Sequence, residues 1–152
     1  MTIIDAPTAK DVRYKAMELL ARREHSRVEL IAKLRLRHFP DELITPELDK
    51  LEHENLQSDR RFTEAYVHMR QMAGFGPVRI REELRQRGIS GDLINTYLIE
   101  SDTIWAQRAA EVRLKRFGTQ PLIDFTDRAK QARFLNYRGF NQQQIDTVLG
   151  SE

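Results

Sequence analysis

The chain has no cysteine, which removes a disulfide framework, a thiolate metal site and a cysteine nucleophile together. It has no run close to the roughly 18 consecutive apolar residues of a membrane-spanning helix. No G-x-x-x-x-G-K-[ST] loop is present, so the chain is not built to hydrolyse nucleotides; Gly74-Phe75-Gly76-Pro77 is too short and lacks the lysine. The four histidines, His25, His38, His53 and His68, show no H-E-x-x-H or other ligand spacing. Strand-like alternation is missing as well, because aromatic and β-branched residues recur at helical spacing. Residues 1–10 carry no hydrophobic stretch of signal-peptide type, which points to a cytoplasmic location away from membranes. These absences favour a binding protein over an enzyme, with neither metal nor cofactor expected.

What is present is charge, arranged in blocks. The 152 residues are 40% hydrophobic and 32% charged, with a formal net charge of +2. That total conceals a basic block over residues 10–37, an acidic block over 41–59 and a second basic block over 108–138. Arginine outnumbers lysine 19 to 6. Its planar fork suits phosphates and carboxylates, although charge blocks are also what ordinary solvated helix surfaces carry.

The periodicity is helical nearly throughout. Val12, Ala16, Leu19, Leu20 and Arg23 share one face. Ser26-Arg27-Val28-Glu29 has the form of a capping box that opens a helix with Leu30, Ile31 and Leu34 inward, a better role for Ser26 than nucleophile. Thr45-Pro46-Glu47 reads as another helix start, with Leu48 and Leu51 inward and Leu56 as a further member. Phe62, Ala65, Tyr66, Met69 and Ala73 form the next stripe, and Met69 and Met72 read as packing residues. Pro77 starts a helix with Ile80 and Leu84 buried, and Gly88 ends it. Ser90 caps a helix with Leu93, Ile94, Tyr97 and Leu98. Trp105, as a core or interface anchor, with Ala109 and Val112 marks a helix reaching Phe117-Gly118. A helix from about Thr126 carries Phe134 and Leu135 to Gly139, and Asn141 caps a last one with Ile145, Val148 and Leu149.

These helices fall into three groups of three. Leu34-x-x-Arg37-His38-Phe39 aligns with Leu84-x-x-Arg87-Gly88-Ile89 and with Leu135-x-x-Arg138-Gly139-Phe140. The match continues at Ile44, Ile94 and Ile145, then at Leu48, Leu98 and Leu149. The expectation is an all-α chain of three tandem three-helix repeats in an elongated, curved arrangement. A tail of 1–11 would precede repeats at 12–58, 59–102 and 103–152.

The same residues resemble the RecX family of bacterial regulatory proteins. Gly74-Phe75-Gly76-Pro77-Val78-Arg79-Ile80-Arg81-Glu82-Glu83-Leu84-Arg85-Gln86-Arg87-Gly88-Ile89-Ser90 is similar to that family's central motif. Asp59-Arg60-Arg61-Phe62 is similar to its entry into the second repeat. Arg23-Glu24-His25-Ser26-x-x-Glu29-Leu30 and Arg133-Phe134-Leu135-Asn136-Tyr137-Arg138-Gly139-Phe140 resemble its first and third repeat motifs. The chain departs from the family where Met72-Ala73 replaces a basic residue before Gly74, and where Pro46 interrupts the first repeat.

The resemblance implies a non-catalytic monomer that binds the RecA recombinase filament on single-stranded DNA. Duplex DNA would be a further ligand. Such a protein restrains RecA's ATP hydrolysis, strand exchange and co-protease function, and so regulates DNA repair and the SOS response. Arg81, Arg85 and Arg87 become candidates for contact with phosphate or acidic protein surface, the alternative being pairing with Glu82 and Glu83. Arg113, Lys115, Arg116, Arg128, Lys130 and Arg133 form the third-repeat candidate patch, while Arg138 could satisfy its own helix's last carbonyls. Gly76, Pro77, Ile80, Leu84, Gly88, Leu135 and Gly139 read as turn and packing positions. Phe75 and Tyr137 could stack on bases but are expected to pack instead. Two rival readings are a helix-turn-helix DNA-binding regulator independent of RecA and a helical scaffold without nucleic acid.

Overall fold

The computed structural model describes residues 5–150, and among them the fold is all-α, without a strand. Nine helices follow one another: α1 (Ala9–Arg22), α2 (Arg27–Leu36), α3 (Asp41–His53), α4 (Asp59–Met72), α5 (Pro77–Gln86), α6 (Gly91–Tyr97), α7 (Ile104–Phe117), α8 (Phe125–Arg138) and α9 (Gln142–Leu149). None is long and apolar enough to cross a membrane. Two compact units divide the chain. The first runs through Ala65 and takes in Arg87–Ile89; the second comprises Tyr66–Gln86 and the residues from Ser90 onward.

Local chemistry sets the helix ends. Thr8 and Asp11 form a capping box under α1, Ser26 and Glu29 under α2, and Asn141 and Gln144 under α9. Ser90 and Asp124 cap α6 and α8 by accepting from Leu93 N and Asp127 N. The repeat register has a backbone counterpart. His38, Gly88 and Gly139 all have positive φ, at 68°, 78° and 102°. At two of these turns the bonds are of Schellman type: Phe39 N and Phe140 N donate back to the Leu34 and Leu135 carbonyls. Leu34, Leu84 and Leu135 are fully buried, as are Ile44, Ile94 and Ile145 to within 1%.

In the first unit Val12, Ala16, Leu19, Leu30, Leu34, Ile44, Leu48 and Leu51 form one core shared by α1, α2 and α3. Asp59 reaches back to accept from Arg27 N at 2.8 Å, so it caps α2 alongside Ser26. Ser26 Oγ itself donates to the Arg87 carbonyl at 2.8 Å. A side chain at Gly88 would collide with Val28, its Cβ lying 2.2 Å from Cγ2.

In the second unit Ile80, Leu84, Ile94, Leu98, Trp105, Ala109, Leu135, Phe140 and Ile145 are buried. Trp105 Nε1 donates to the Ile99 carbonyl at 2.9 Å, which satisfies its one polar atom. The glycine motif before α5 docks by its backbone onto the end of α8. Gly76 N donates to the Arg138 carbonyl at 2.8 Å and Val78 N to the Gly139 carbonyl at 2.9 Å. A Cβ on Gly76 would lie 2.4 Å from the Gly139 carbonyl, so only glycine permits this approach.

Several expectations need correction. The Thr45-Pro46-Glu47 start is not used, because α3 begins at Asp41 and carries Pro46 inside it. The only bond this proline forfeits is to the Glu42 carbonyl, on an exposed stretch where water can replace it. Arg23 lies beyond the end of α1 in extended conformation, not on its apolar face. Ala65, Met69 and Ala73 are exposed; α4 instead buries Phe62, Thr63, Tyr66 and Val67. Met69 and Met72 therefore do not pack in a core, and Leu56 is exposed as well.

Candidate functional site

Where each cation finds its counter-charge separates the basic blocks. In the first unit the acidic block is the partner of the basic one. Arg13 pairs with Glu47 and Glu54, Arg27 with Asp49 and Glu52, and Arg35 with Asp41. The Arg13 and Arg35 bonds hold the Glu54 and Asp41 carboxyls below the usual range. Arg61 meets Glu24 at 2.9 Å. Burial pushes the Glu29 carboxyl up, but hydrogen bonds from Arg23 and from Ser26 N outweigh it and leave the carboxyl low. Arg87, one of the candidate contacts, also lies 3.7 Å from Glu29.

His25 is buried in this unit. Its Nδ1 sits 3.1 Å from the Arg23 carbonyl and its Nε2 3.0 Å from Lys33 Nζ. An ammonium has only donors, so Nε2 accepts and Nδ1 carries the proton. Burial, with the two nearby cations, pulls the imidazole below its ordinary value.

The second unit begins with a carboxylate hub. Glu83 accepts from Tyr66 Oη at 3.1 Å, from Arg70 through two bonds of 2.9 Å, and from Arg79 at 3.4 Å. Burial raises this carboxyl, and the Arg70 bonds more than reverse the effect. Arg70, Arg79 and Arg138 place their guanidinium carbons 3.8, 4.6 and 4.9 Å from the Phe75 ring centre. Phe75 is thus a platform for cations. Tyr137, expected to pack, is 73% exposed.

Arg81 donates to Asn95 at 2.8 Å and to the Leu98 carbonyl, which ties α5 to the end of α6. Arg85 is open to solvent, with Glu82 3.7 Å away.

On α7 and α8 the pattern changes. Arg128 is held by Asp146 and the Gly150 carbonyl, and Arg113 by the Gln131 side chain. Lys115, Arg116, Lys130 and Arg133 are exposed, and none forms an ion pair with a described residue. The third-repeat candidates therefore divide into two that brace the helices and four that remain open. Arg138 does not satisfy its own helix; it donates to the Ala73 carbonyl beyond α4 at 3.4 Å. The hub at Glu83 was not read from the sequence. Arg79 and Glu83 are visible as an i, i+4 pair, but Arg70 comes from another helix and leaves no local trace.

The first, second and third three-helix domains of RecX match residues 13–51, 58–98 and 102–149. The chain belongs to the RecX family. It is 50% identical over 147 residues to the regulatory protein RecX of Pseudomonas entomophila strain L48, covering 97% of this chain and 94% of that one. It is 48% identical to the regulatory protein RecX of Pseudomonas putida strain KT2440 over the same length, covering 97% and 93%. A crystal structure of regulatory protein RecX superimposes with a TM-score of 0.78 at 25% identity, covering 93% of this chain and 75% of that chain. As a RecX-family protein the chain is a member of a group of regulators, built from three tandem three-helix domains.

Proposed function

We propose that this RecX-family protein binds the RecA filament on single-stranded DNA and restrains its ATP hydrolysis, strand exchange and co-protease activity. It would thereby moderate recombinational repair and the SOS response, acting as a cytoplasmic monomer without catalysis of its own. The observation that carries the reading is the contrast between basic blocks. Arg13, Arg27 and Arg35 on α1 and α2 are paired with carboxylates of α3, whereas Lys115, Arg116, Lys130 and Arg133 on α7 and α8 keep their charge for a partner. Free guanidinium and ammonium groups on a helical surface suit DNA phosphates or acidic protein surface. Arg85 would add to this surface from the second repeat. Repeats at 12–58, 59–102 and 103–152 would each contribute modestly, and their linkage would supply affinity. Bridging neighbouring protomers would favour one filament state and alter hydrolysis without touching the nucleotide.

The helix-turn-helix alternative fits less well. Its reading helices would be α6 and α9, yet Asn95, Gln142 and Gln144 on them are engaged. Asn95 accepts from Arg81, Gln142 donates to Asp146, and Gln144 is spent on the α9 cap and the Glu100 carbonyl. RecA's single-stranded-DNA-dependent ATP hydrolysis, followed as this protein is added, tests the proposal. Hydrolysis should fall at protein levels well below those of RecA. Unchanged hydrolysis at every ratio, together with tight sequence-specific duplex binding, would establish the alternative.

A further inference from the structure

We propose that the second unit contains a phosphate-binding cleft that accepts the phosphoryl group of a nucleotide, either free or within a single strand. The cleft measures about 360 Å³ and opens between the end of α4, one face of α7 and the last turn of α8. Its wall carries four cations, Arg108, Lys115, Arg116 and Arg138, against one carboxylate, Glu111. The positions on α7 recur at helical spacing, so all point the same way.

Three observations indicate an anion. First, Glu111 is already engaged, at 3.0 Å from Arg108, so Lys115, Arg116 and Arg138 have no carboxylate among the described residues. Second, Arg116 and Arg138 place their guanidinium carbons 5.7 and 5.3 Å from the centre of one ring, Phe134. Like charges gathered over one ring repel each other, and an anion between them reverses that cost. Third, Arg108, one of the lining residues, keeps a buried Nε that makes no hydrogen bond among the described residues.

Phosphate fits better than a lone carboxylate. The wall has a net excess of three positive groups, and guanidinium forks match phosphoryl oxygens. The volume exceeds what one small anion fills and lies at the lower end of ligand clefts, leaving room for a sugar or base beside Val112 and Met72. Gly74 keeps the walls close: its φ is 91°, and a Cβ there would stand 3.1 Å from Val112 Cγ2 and 3.5 Å from Arg138 Nη1.

This inference deepens the filament reading and rests on it for its purpose, though not for its ligand. The test is calorimetric titration of the full chain with pyrophosphate, AMP and an oligothymidylate. The variants are Lys115→Gln/Arg116→Gln and Lys10→Gln/Arg37→Gln, which remove the same charge inside the cleft and in the first unit. Saturable one-to-one binding is expected, weakened about tenfold in the first variant and less than about threefold in the second. Binding of AMP or pyrophosphate identifies a free nucleotide as sufficient; binding of the oligonucleotide alone identifies the strand as the source. No binding of any probe, or equal loss in both variants, overturns the cleft. RecA hydrolysis measured in parallel separates the two readings. If the protein restrains RecA but binds no probe, only the cleft fails; if probes bind and RecA is unaffected, only the filament reading fails.

Discussion

Glu83→Gln removes the charge at the centre of the second unit's carboxylate hub. The Glu83 and Arg70 side chains are only 18% and 20% exposed, and their guanidinium–carboxylate pair closes through two bonds of 2.9 Å. Arg79 and Tyr66 add two more donors. The amide would present its own N–H groups to this ring of donors and remove the negative charge they share. Losing charge-assisted bonds costs about 1.5–3 kcal/mol, and breaking a fully buried pair about 3–5, so a pair with this residual exposure should cost about 2–3 kcal/mol. For a chain of this length that corresponds to a fall in Tm of about 5–10 °C. Trp105, the single tryptophan, lies in the same unit, so its fluorescence during urea unfolding reports on the right region. Glu82→Gln, one residue away on an exposed 3.7 Å pair, should stay within about 0.5 kcal/mol. Equal effects from the two substitutions would refute the reasoning. The sign with pH is also fixed. Because the folded Glu83 carboxyl titrates low, its contribution is complete above about pH 4.5 and is lost as pH falls through the folded value. Glu83→Gln should abolish that part of the acid sensitivity.

The remaining predictions use other features of the fold. Gly76→Ala forces a methyl to within 2.4 Å of the Gly139 backbone and should cost more than about 3 kcal/mol, whereas Gly91→Ala, with open space around it, should change stability by less than about 1 kcal/mol in urea titrations. His38→Gly relieves a non-glycine residue at φ 68° and should raise stability by about 0.5–1 kcal/mol, read as a higher urea midpoint. His25 titrates below its ordinary value of 6.5, so its contribution is present above that pH and lost as pH falls toward the folded value; His25→Asn should remove that dependence in pH-resolved melts, at a constant cost in stability from lost packing. Arg133→Gln with Lys130→Gln should lower the salt dependence of single-stranded DNA binding, with a log–log slope smaller by about 1–2.

The repeat was legible because its register is written in local chemistry. A leucine, a residue able to turn left-handed and a following apolar residue recur at fixed offsets, and each triple reappears as a fully buried leucine followed by a turn of positive φ. Caps were legible for the same reason at Ser26, Ser90 and Asn141. Thr8 was not read because its partner Asp11 precedes the apolar stripe that signals a helix. The α3 start was misplaced because Pro46 resembles a first-turn proline, and only packing of Ile44 reveals that the helix begins earlier. Met69 followed the right period on the wrong face, since Thr63 and Val67 take the buried positions. The candidate contacts were least legible. Arg81, Arg87, Arg113 and Arg128 resemble Lys115 and Arg116 in sequence, and partners 14 to 58 residues away decide which cations are occupied. Charge counting cannot see such pairings: Arg13, Arg27 and Arg35 in the first basic block meet carboxylates of α3, whereas Lys115, Arg116, Lys130 and Arg133 in the later block meet none among the described residues.

The central claim concerns the filament, and its most direct test is binding. Labelled protein is titrated with RecA assembled on single-stranded DNA, with the bare strand and with RecA alone, at physiological salt. The account predicts saturable binding to the assembled filament, tighter than to the bare strand or to RecA alone and weakened by Lys115→Gln/Arg116→Gln. Equal affinity for filament and bare strand, or binding unchanged in that variant, would contradict it.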